Sequence, residues 1–106
     1  MKLLYSQEAR EQLKNIKEYI SKDNKDVAVQ HLLKIKLKLE ILQDYPYIGK
    51  VNSTFNIENI REFVVFGYKI IYKINQKSVY IMAIYKYINF DETKLRFFNM
   101  KLVYWI

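Results

Sequence analysis

The apolar positions of the first twenty residues repeat at helical spacing. A short apolar entry, Met1 to Tyr5, predicts an edge strand, and the hydroxyl of Ser6 can then cap a helix. The apolar residues that follow fall at i, i+4, i+7 and i+11: Ala9, Leu13, Ile16 and Ile20. They form one stripe of an amphipathic helix, and the polar run 21–24 predicts its end.

A second stripe predicts a helix that begins at a cap, Asp23, Asn24 or Asp26, and runs to about Gln43. Its members are Ala28, Leu32, Ile35, Leu39 and Leu42. Residues 33–41 also alternate between apolar and charged residues, which is the period of a half-buried strand. The segment is long, lacks Gly and Pro, is rich in Leu and Lys, and follows a cap, so we predict a helix. Three further residues widen its apolar face, as expected for a helix packed on two neighbours: Leu33, Leu37 and Ile41.

The next segment, 44–59, is predicted to be a connection. The residue before Pro46 is steered out of the α region, and Gly49 can take a positive φ, so the helix should end here and a loop should run to Asn59. Beyond it, β-branched and aromatic residues predict three strands: Ile60 to Val65, Tyr68 to Ile74, and Val79 to about Tyr87. Their short connections, 66–67 and 75–78, predict an antiparallel meander.

These elements define an α+β fold, in which an N-terminal strand and a two-helix hairpin pack on the antiparallel meander. The tail, 90–100, could form a helix opened by Asp91, followed by the apolar end 101–106. No repeat or linker interrupts the 106 residues, so we expect residues 1–106 to form a single domain.

Composition narrows the classes of function. No cysteine is present, which excludes disulfides, thiolate nucleophiles and Cys-rich zinc sites and is compatible with a cytoplasmic protein. No apolar run is long enough to cross a bilayer, so we expect no membrane partner. The net charge of +7 predicts attraction to polyanions, either nucleic acid or an acidic protein segment, although a lysine-rich solvated surface would give the same value.

The sequence offers few groups for catalysis. It has no Gly-rich phosphate loop and no pair of histidines for a metal, so we expect neither a cofactor nor a metal site. The only histidine, His31, lies inside the second predicted helix and is expected to be solvated or partly packed. Two pairs of carboxylates are candidates for acid–base groups, Glu8 with Glu11 and Asp91 with Glu92. Both pairs lie near predicted helix N-termini, which favour negative charge, so a structural role explains them.

Cations and aromatic residues instead gather on the sheet half of the chain: Arg61, Lys69, Lys73, Lys86, Tyr68, Tyr72, Tyr85 and Tyr87. On the second predicted strand, alternation puts Lys69, Ile71 and Lys73 on one face. The other face is the better core candidate: Tyr68, Ile70, Tyr72 and Ile74. Alternating cations and aromatic rings could bind RNA, but the same pattern is ordinary for a strand with a solvated outer face.

Three stretches, in this order and spacing, resemble the RelE/ParE toxin superfamily. The first is the run 5–10, Tyr-Ser-Gln-Glu-Ala-Arg, followed by Leu13, Ile16, Tyr19 and Ile20. The second is 45–50, with its helix-ending Pro and Gly. The third is 61–72, followed by 79–84. Together they cover roughly the first four-fifths of the chain. The resemblance implies the toxin of a bacterial type II toxin–antitoxin pair, blocked by a cognate antitoxin that wraps around it.

The resemblance leaves two mechanisms open. ParE-like members inhibit DNA gyrase, whereas RelE-like members cleave mRNA on the ribosome with clustered cations and proton-handling groups. Where many members carry a His and then a basic residue two places on, this chain has Tyr85, Lys86 and Tyr87. A phenol exchanges protons near pH 7 far less readily than an imidazole, so we favour the ParE-like mechanism.

The hypotheses can be assigned to residues. Under the ParE-like mechanism the target would be bound by Arg61, Lys69, Lys73, Tyr85, Lys86 and Tyr87. Under the RelE-like alternative the nuclease groups would be Arg61, Lys69, Lys86 and Tyr87. A third hypothesis is an inactive homologue that retains only antitoxin binding. The oligomeric state stays open between a homodimer and a toxin–antitoxin hetero-oligomer.

Overall fold

The computed structural model describes residues 1–87 and 103–105 of the chain. The described helices are α1, Gln7–Ser21, and α2, Lys25–Glu40, with 3-10 turns at Ile41–Gln43 and Pro46–Ile48. The strands are β1 (Lys2–Tyr5), β2 (Lys50–Val51), β3 (Ile60–Val65), β4 (Tyr68–Ile74), β5 (Ser78–Tyr87) and β6 (Val103–Trp105). The predicted α+β class is confirmed. The tail helix predicted from Asp91 lies outside the described residues.

The strands form one mixed sheet in the order β1-β5-β4-β3-β2. The antiparallel meander of β3, β4 and β5 is confirmed, and β1 lies at an edge, as predicted. β1 pairs with β5 in parallel, with Leu3 opposite Val79. β6 pairs antiparallel with the end of β5, so that Val103 is opposite Tyr87. No helix within the described part of the chain is long and apolar enough to span a membrane.

The first helix begins at its predicted cap, Ser6, and the second begins at Asn24, one of its three candidate caps. The Ser6 hydroxyl accepts a hydrogen bond from Ala9 N at 2.9 Å, and the Asn24 side-chain oxygen accepts one from Val27 N at 3.1 Å. Each bond satisfies an amide that the first turn of a helix leaves without a partner. The choice of a helix over a strand for residues 33–41 is therefore correct, since α2 and its 3-10 turn cover the whole segment.

The core lies between the helix pair and one face of the sheet. It combines the predicted stripes of α1 and α2 with the predicted inner residues of β4, of which Ile70, Tyr72 and Ile74 are buried. The expectation that Leu33, Leu37 and Ile41 pack on a second neighbour is wrong. Their exposed fractions are 54%, 62% and 37%, because the described sheet covers only one side of α2.

A bulge in β5 sets the direction of its side chains. Opposite Ile71 and Tyr72 of β4 stand Ala83 and Ile81, so Met82 is the extra residue. β1 pairs with residues 78–81 and β6 with residues 85–87, which leaves a gap on the outer edge of β5. The gap is closed by side chains of the N-terminal segment: Ser6 Oγ donates to Met82 O at 2.8 Å, and Ile84 N donates to Gln12 Oε1 at 2.6 Å.

The connection 44–59 contains more structure than predicted. Lys50 and Val51 form the short strand β2, which pairs with Glu62 and Arg61 of β3. Gly49 does not take the expected positive φ, since its backbone is extended at φ −77° and ψ 165°. Glycine is required there for a different reason. A Cβ atom would lie 2.6 Å from the Glu62 carbonyl oxygen and 2.7 Å from the Tyr72 hydroxyl.

Candidate functional site

The face of the sheet turned away from the helices carries an open cleft. Alternation along β4 directs Lys69 and Ile71 to this outer face, and the strand register places Tyr85 opposite Lys69. The loop after β2 forms the wall. The cleft has a volume of about 460 Å³, and we call it the outer cleft; it is lined by Asn52, Ser53, Thr54, Phe55, Glu62, Lys69, Ile71 and Tyr85.

A buried carboxylate lies in the floor of the outer cleft. Glu62 is 4% exposed, and its two oxygens have different partners. Asn52 Nδ2 donates to Oε1 at 2.9 Å, and Lys69 Nζ lies 3.1 Å from Oε2. The carboxylate and the ammonium group compensate each other's charge, which is how a buried carboxylate is tolerated. The cleft therefore presents little net positive charge from Lys69.

Asn52 holds the wall of the cleft in place. Its side-chain oxygen accepts hydrogen bonds from Thr54 N at 3.1 Å and Phe55 N at 3.0 Å, while its amide group reaches Glu62. An Asn side chain that binds backbone amides two and three residues on stabilises a tight turn. The loop wall and the charged floor are thus fixed by one residue, itself 4% exposed.

Arg61 does not join this cleft. It lies opposite Tyr72 in the β3–β4 register, so its side chain starts from the helix-facing side of the sheet. Nε donates to Glu58 O at 2.7 Å, Nη1 donates to Gly49 O at 3.1 Å, and the guanidinium group lies 5.0 Å from the centroid of the Tyr47 ring. Two of its donor nitrogens thus bind the backbone of the neighbouring loop.

Tyr72 binds the same loop through its hydroxyl group. Its hydroxyl donates to Pro46 O at 2.7 Å and accepts from Gly49 N at 3.0 Å. Burial raises the pKa of Tyr72, while the hydrogen bond from Gly49 and the charge of Arg61 act in the opposite direction. The side chain is completely buried, so it cannot stack on a nucleic-acid base.

The remaining candidate residues are divided between the two faces. Lys73 is exposed and, by its position in the β4 register, lies on the outer face with Lys69 and Tyr85. Lys86 pairs with Tyr68 and lies on the helix side, where its Nζ is 5.5 Å from the centroid of the Tyr19 ring. The backbone of Tyr87 ends β5, and its side chain lies outside the described part of the structure.

His31 is partly packed, as predicted. Its ring lies between those of Phe66 and Tyr68, with centroid separations of 6.2 and 6.1 Å. Burial raises the pKa of the Tyr68 phenol beside it. The imidazole is on α2, on the opposite side of the sheet from Lys69 and Tyr85, so it cannot exchange protons with a group held in the outer cleft.

The sequence reading missed Asn52 and Glu62. Asn-Ser-Thr after β2 is a turn composition, so the role of Asn52 had a weak local signal. Glu62 had none, because its burial depends on a loop that folds back over β3. Together with Lys69 and Tyr85, these residues give the outer cleft hydroxyl, amide and aromatic groups and one compensated ion pair. Such a surface suits binding by hydrogen bonds and ring contacts more than the stabilisation of phosphate charge.

The comparisons with known proteins agree with this fold. A family model described as the ParE toxin of the parDE type II toxin–antitoxin system matches residues 3–86. Among solved structures, a chain titled "Chromosomal ParDE TA system from P. aeruginosa" is similar, with a TM-score of 0.66 and 17% identity over 79% of this chain and 92% of that one. At this identity the similarity concerns the fold. A search of curated proteins found no match.

Proposed function

The chain belongs to the ParE toxin family of type II toxin–antitoxin systems, and on this premise we propose that it acts by binding DNA gyrase and is neutralised by a cognate antitoxin. The target-binding surface in this proposal is the outer face of the sheet, with Lys73 and Tyr85 making direct contacts. Lys69 contributes by holding the floor of the outer cleft through Glu62.

One observation carries the choice of binding over RNA cleavage. The cations that a nuclease would need do not converge on one phosphate. Lys69 is paired with the buried Glu62 carboxylate, Arg61 is bound to backbone carbonyls, and Lys86 lies on the helix side. Phosphate charge in a transition state is stabilised only by groups already directed at it.

The proposal is tested by two assays on one preparation of the protein. Supercoiling of relaxed plasmid by gyrase should be inhibited, while primer extension on translated mRNA should show no new cuts. Cuts at codon positions with normal supercoiling would instead identify a ribosome-dependent nuclease. Activity in neither assay would indicate an inactive homologue that retains only antitoxin binding.

Variants then locate the binding surface. Lys73→Glu and Tyr85→Ala should each raise the concentration needed for half-inhibition of gyrase by roughly tenfold, which corresponds to the loss of one substantial contact. Lys22→Glu is the matched control for charge, because Lys22 is exposed at the end of α1, away from the outer cleft. Equal inhibition by Lys73→Glu, Tyr85→Ala and Lys22→Glu would rule out the outer face as the binding surface.

A further inference from the structure

One side of α2 carries large apolar side chains that no described residue covers. Val29, Leu33, Leu37 and Ile41 follow one another at four-residue steps and are 44%, 54%, 62% and 37% exposed. Residues four apart lie on the same side of a helix, so the four form one stripe. Single exposed apolar residues are ordinary, but a continuous exposed stripe marks a surface that binds another molecule.

The β3–β4 turn borders this stripe. Phe66 is 48% exposed and takes a φ of +48°, a left-handed conformation that is unusual for a bulky aromatic residue. Phe66 and Gly67 are the two central residues of the β3–β4 hairpin, and a two-residue turn of this kind needs a positive φ at both, so the turn itself holds Phe66 in place. Beside Phe66 is a groove of about 300 Å³, which we call the α2 groove; it is lined by Lys34, Leu37, Lys38, Ile41 and Phe66.

The charge of the α2 groove determines what can occupy it. Among the described residues that line it, the charged ones are Lys34 and Lys38. A second copy of the chain docked through the same stripe would bring these lysines against lysines of its own kind. A segment with apolar residues on one side and carboxylates beside them would instead fill the groove and pair with both ammonium groups.

We propose that the α2 groove is the docking site for an acidic amphipathic segment of the cognate antitoxin. This inference rests on the proposed function, because it presumes that an antitoxin binds the chain. The groove lies on the helix side of the sheet, whereas the outer cleft lies on the opposite side. Substitutions in the groove should therefore weaken antitoxin binding without removing the inhibition of gyrase.

The test measures the affinity of the full-length toxin for the protein encoded by the adjacent reading frame, using calorimetry. Leu37→Gln removes an apolar contact and Lys34→Glu reverses one charge. Each should weaken binding by about tenfold or more, as expected for a contact near the centre of an interface. Ile57→Gln is the control for Leu37→Gln, because Ile57 is 51% exposed elsewhere. Lys36→Glu is the control for Lys34→Glu, because it makes the same change of charge on the same helix, outside the α2 groove.

The outcomes separate the two claims. Weaker binding by Leu37→Gln and Lys34→Glu alone, with gyrase inhibition retained, supports the α2 groove as the docking site. Equal affinity for all four variants and the unaltered chain would overturn the inference and leave the proposed function intact. If the unaltered chain does not bind that protein at micromolar concentration, antitoxin neutralisation fails and this inference fails with it. A toxin dimer that Leu37→Gln dissociates, seen by sedimentation without the antitoxin, would assign the groove to a second copy and also overturn it.

Discussion

At the residue scale, local chemistry was predictable from the sequence and long-range contacts were not. Ser6 was predicted as the cap of the first helix, which is confirmed, and of the three candidate caps for the second helix the structure uses Asn24. The sequence placed Arg61 among the cations of the sheet half that could bind a target. Its actual partners include Gly49, twelve residues away in sequence, whose carbonyl oxygen becomes available only when the loop packs beside β3. Nothing in the local pattern of β3 encodes that contact.

Gly49 provides the sharpest test at this scale. Alanine adopts the backbone conformation of Gly49 freely, so Gly49→Ala should gain about 0.4–1 kcal/mol of folding stability because the unfolded chain becomes less flexible. Against this, the new methyl group would lie 2.6 Å from the Glu62 carbonyl oxygen, and overpacking of this kind costs about 1–3 kcal/mol. We expect net destabilisation in urea denaturation. Ser53→Ala, in the exposed loop nearby, should change stability by less than about 0.5 kcal/mol. A Gly49→Ala chain as stable as the original would show that the loop moves away at no cost.

At the element scale, helical periodicity predicted both long helices, and β-branched and aromatic composition predicted the three strands of the meander to within about a residue. The second helix was predicted to run to about Gln43, but α2 ends at Glu40 and a 3-10 turn covers Ile41–Gln43. The helix for residues 33–41 was chosen correctly over a strand because length, composition and the cap all agreed. The parallel pairing of β1 with β5 and the short strand β2 were not predictable in the same way. Both depend on which distant segment completes a sheet edge, and the bulge at Met82 depends on that edge as well.

Gln12 of α1 provides a hydrogen-bond acceptor for the edge of β5. It is 2% exposed and accepts the hydrogen bond of Ile84 N, which lies between the residues paired with β1 and those paired with β6. Gln12→Met keeps the length of the side chain but leaves that amide without its acceptor, so we expect a loss of about 1–3 kcal/mol. The exposed Gln7 is the matched control, and Gln7→Met should change stability by less than about 0.5 kcal/mol. Urea denaturation gives both values, and hydrogen exchange at Ile84 should accelerate only in Gln12→Met. Unchanged protection there would mean that the amide finds another acceptor.

At the scale of the whole molecule, one side of the sheet is covered by the helix pair and the other is open. The packed side buries phenols: Tyr5, Tyr68 and Tyr72 all have a raised pKa, and in each case burial is the main cause. The neutral phenol is therefore favoured by folding at three separate places between the helices, the sheet and the loop. The net charge of +7 predicted attraction to an acidic protein segment or to nucleic acid, but how the cations are divided between the two faces of the sheet depends on the tertiary structure.

These phenols should make the fold sensitive to alkali. Because the pKa is higher in the folded than in the unfolded chain, the unfolded state binds fewer protons once the pH passes about 10, so stability should fall as the pH rises from there through the folded-state values. Urea denaturation at pH 8, 9, 10 and 11 measures this fall.

Tyr72→Phe should be less stable than the original at pH 8, because Gly49 N and Pro46 O lose their partner, yet it should lose less stability above pH 10. Lysine deprotonation contributes equally in both chains, so their difference isolates Tyr72. Tyr45→Phe, at a residue 65% exposed, should keep the full alkaline loss of the original chain. Parallel pH profiles for Tyr72→Phe and Tyr45→Phe would show that the buried phenol at Tyr72 does not contribute to the alkaline loss.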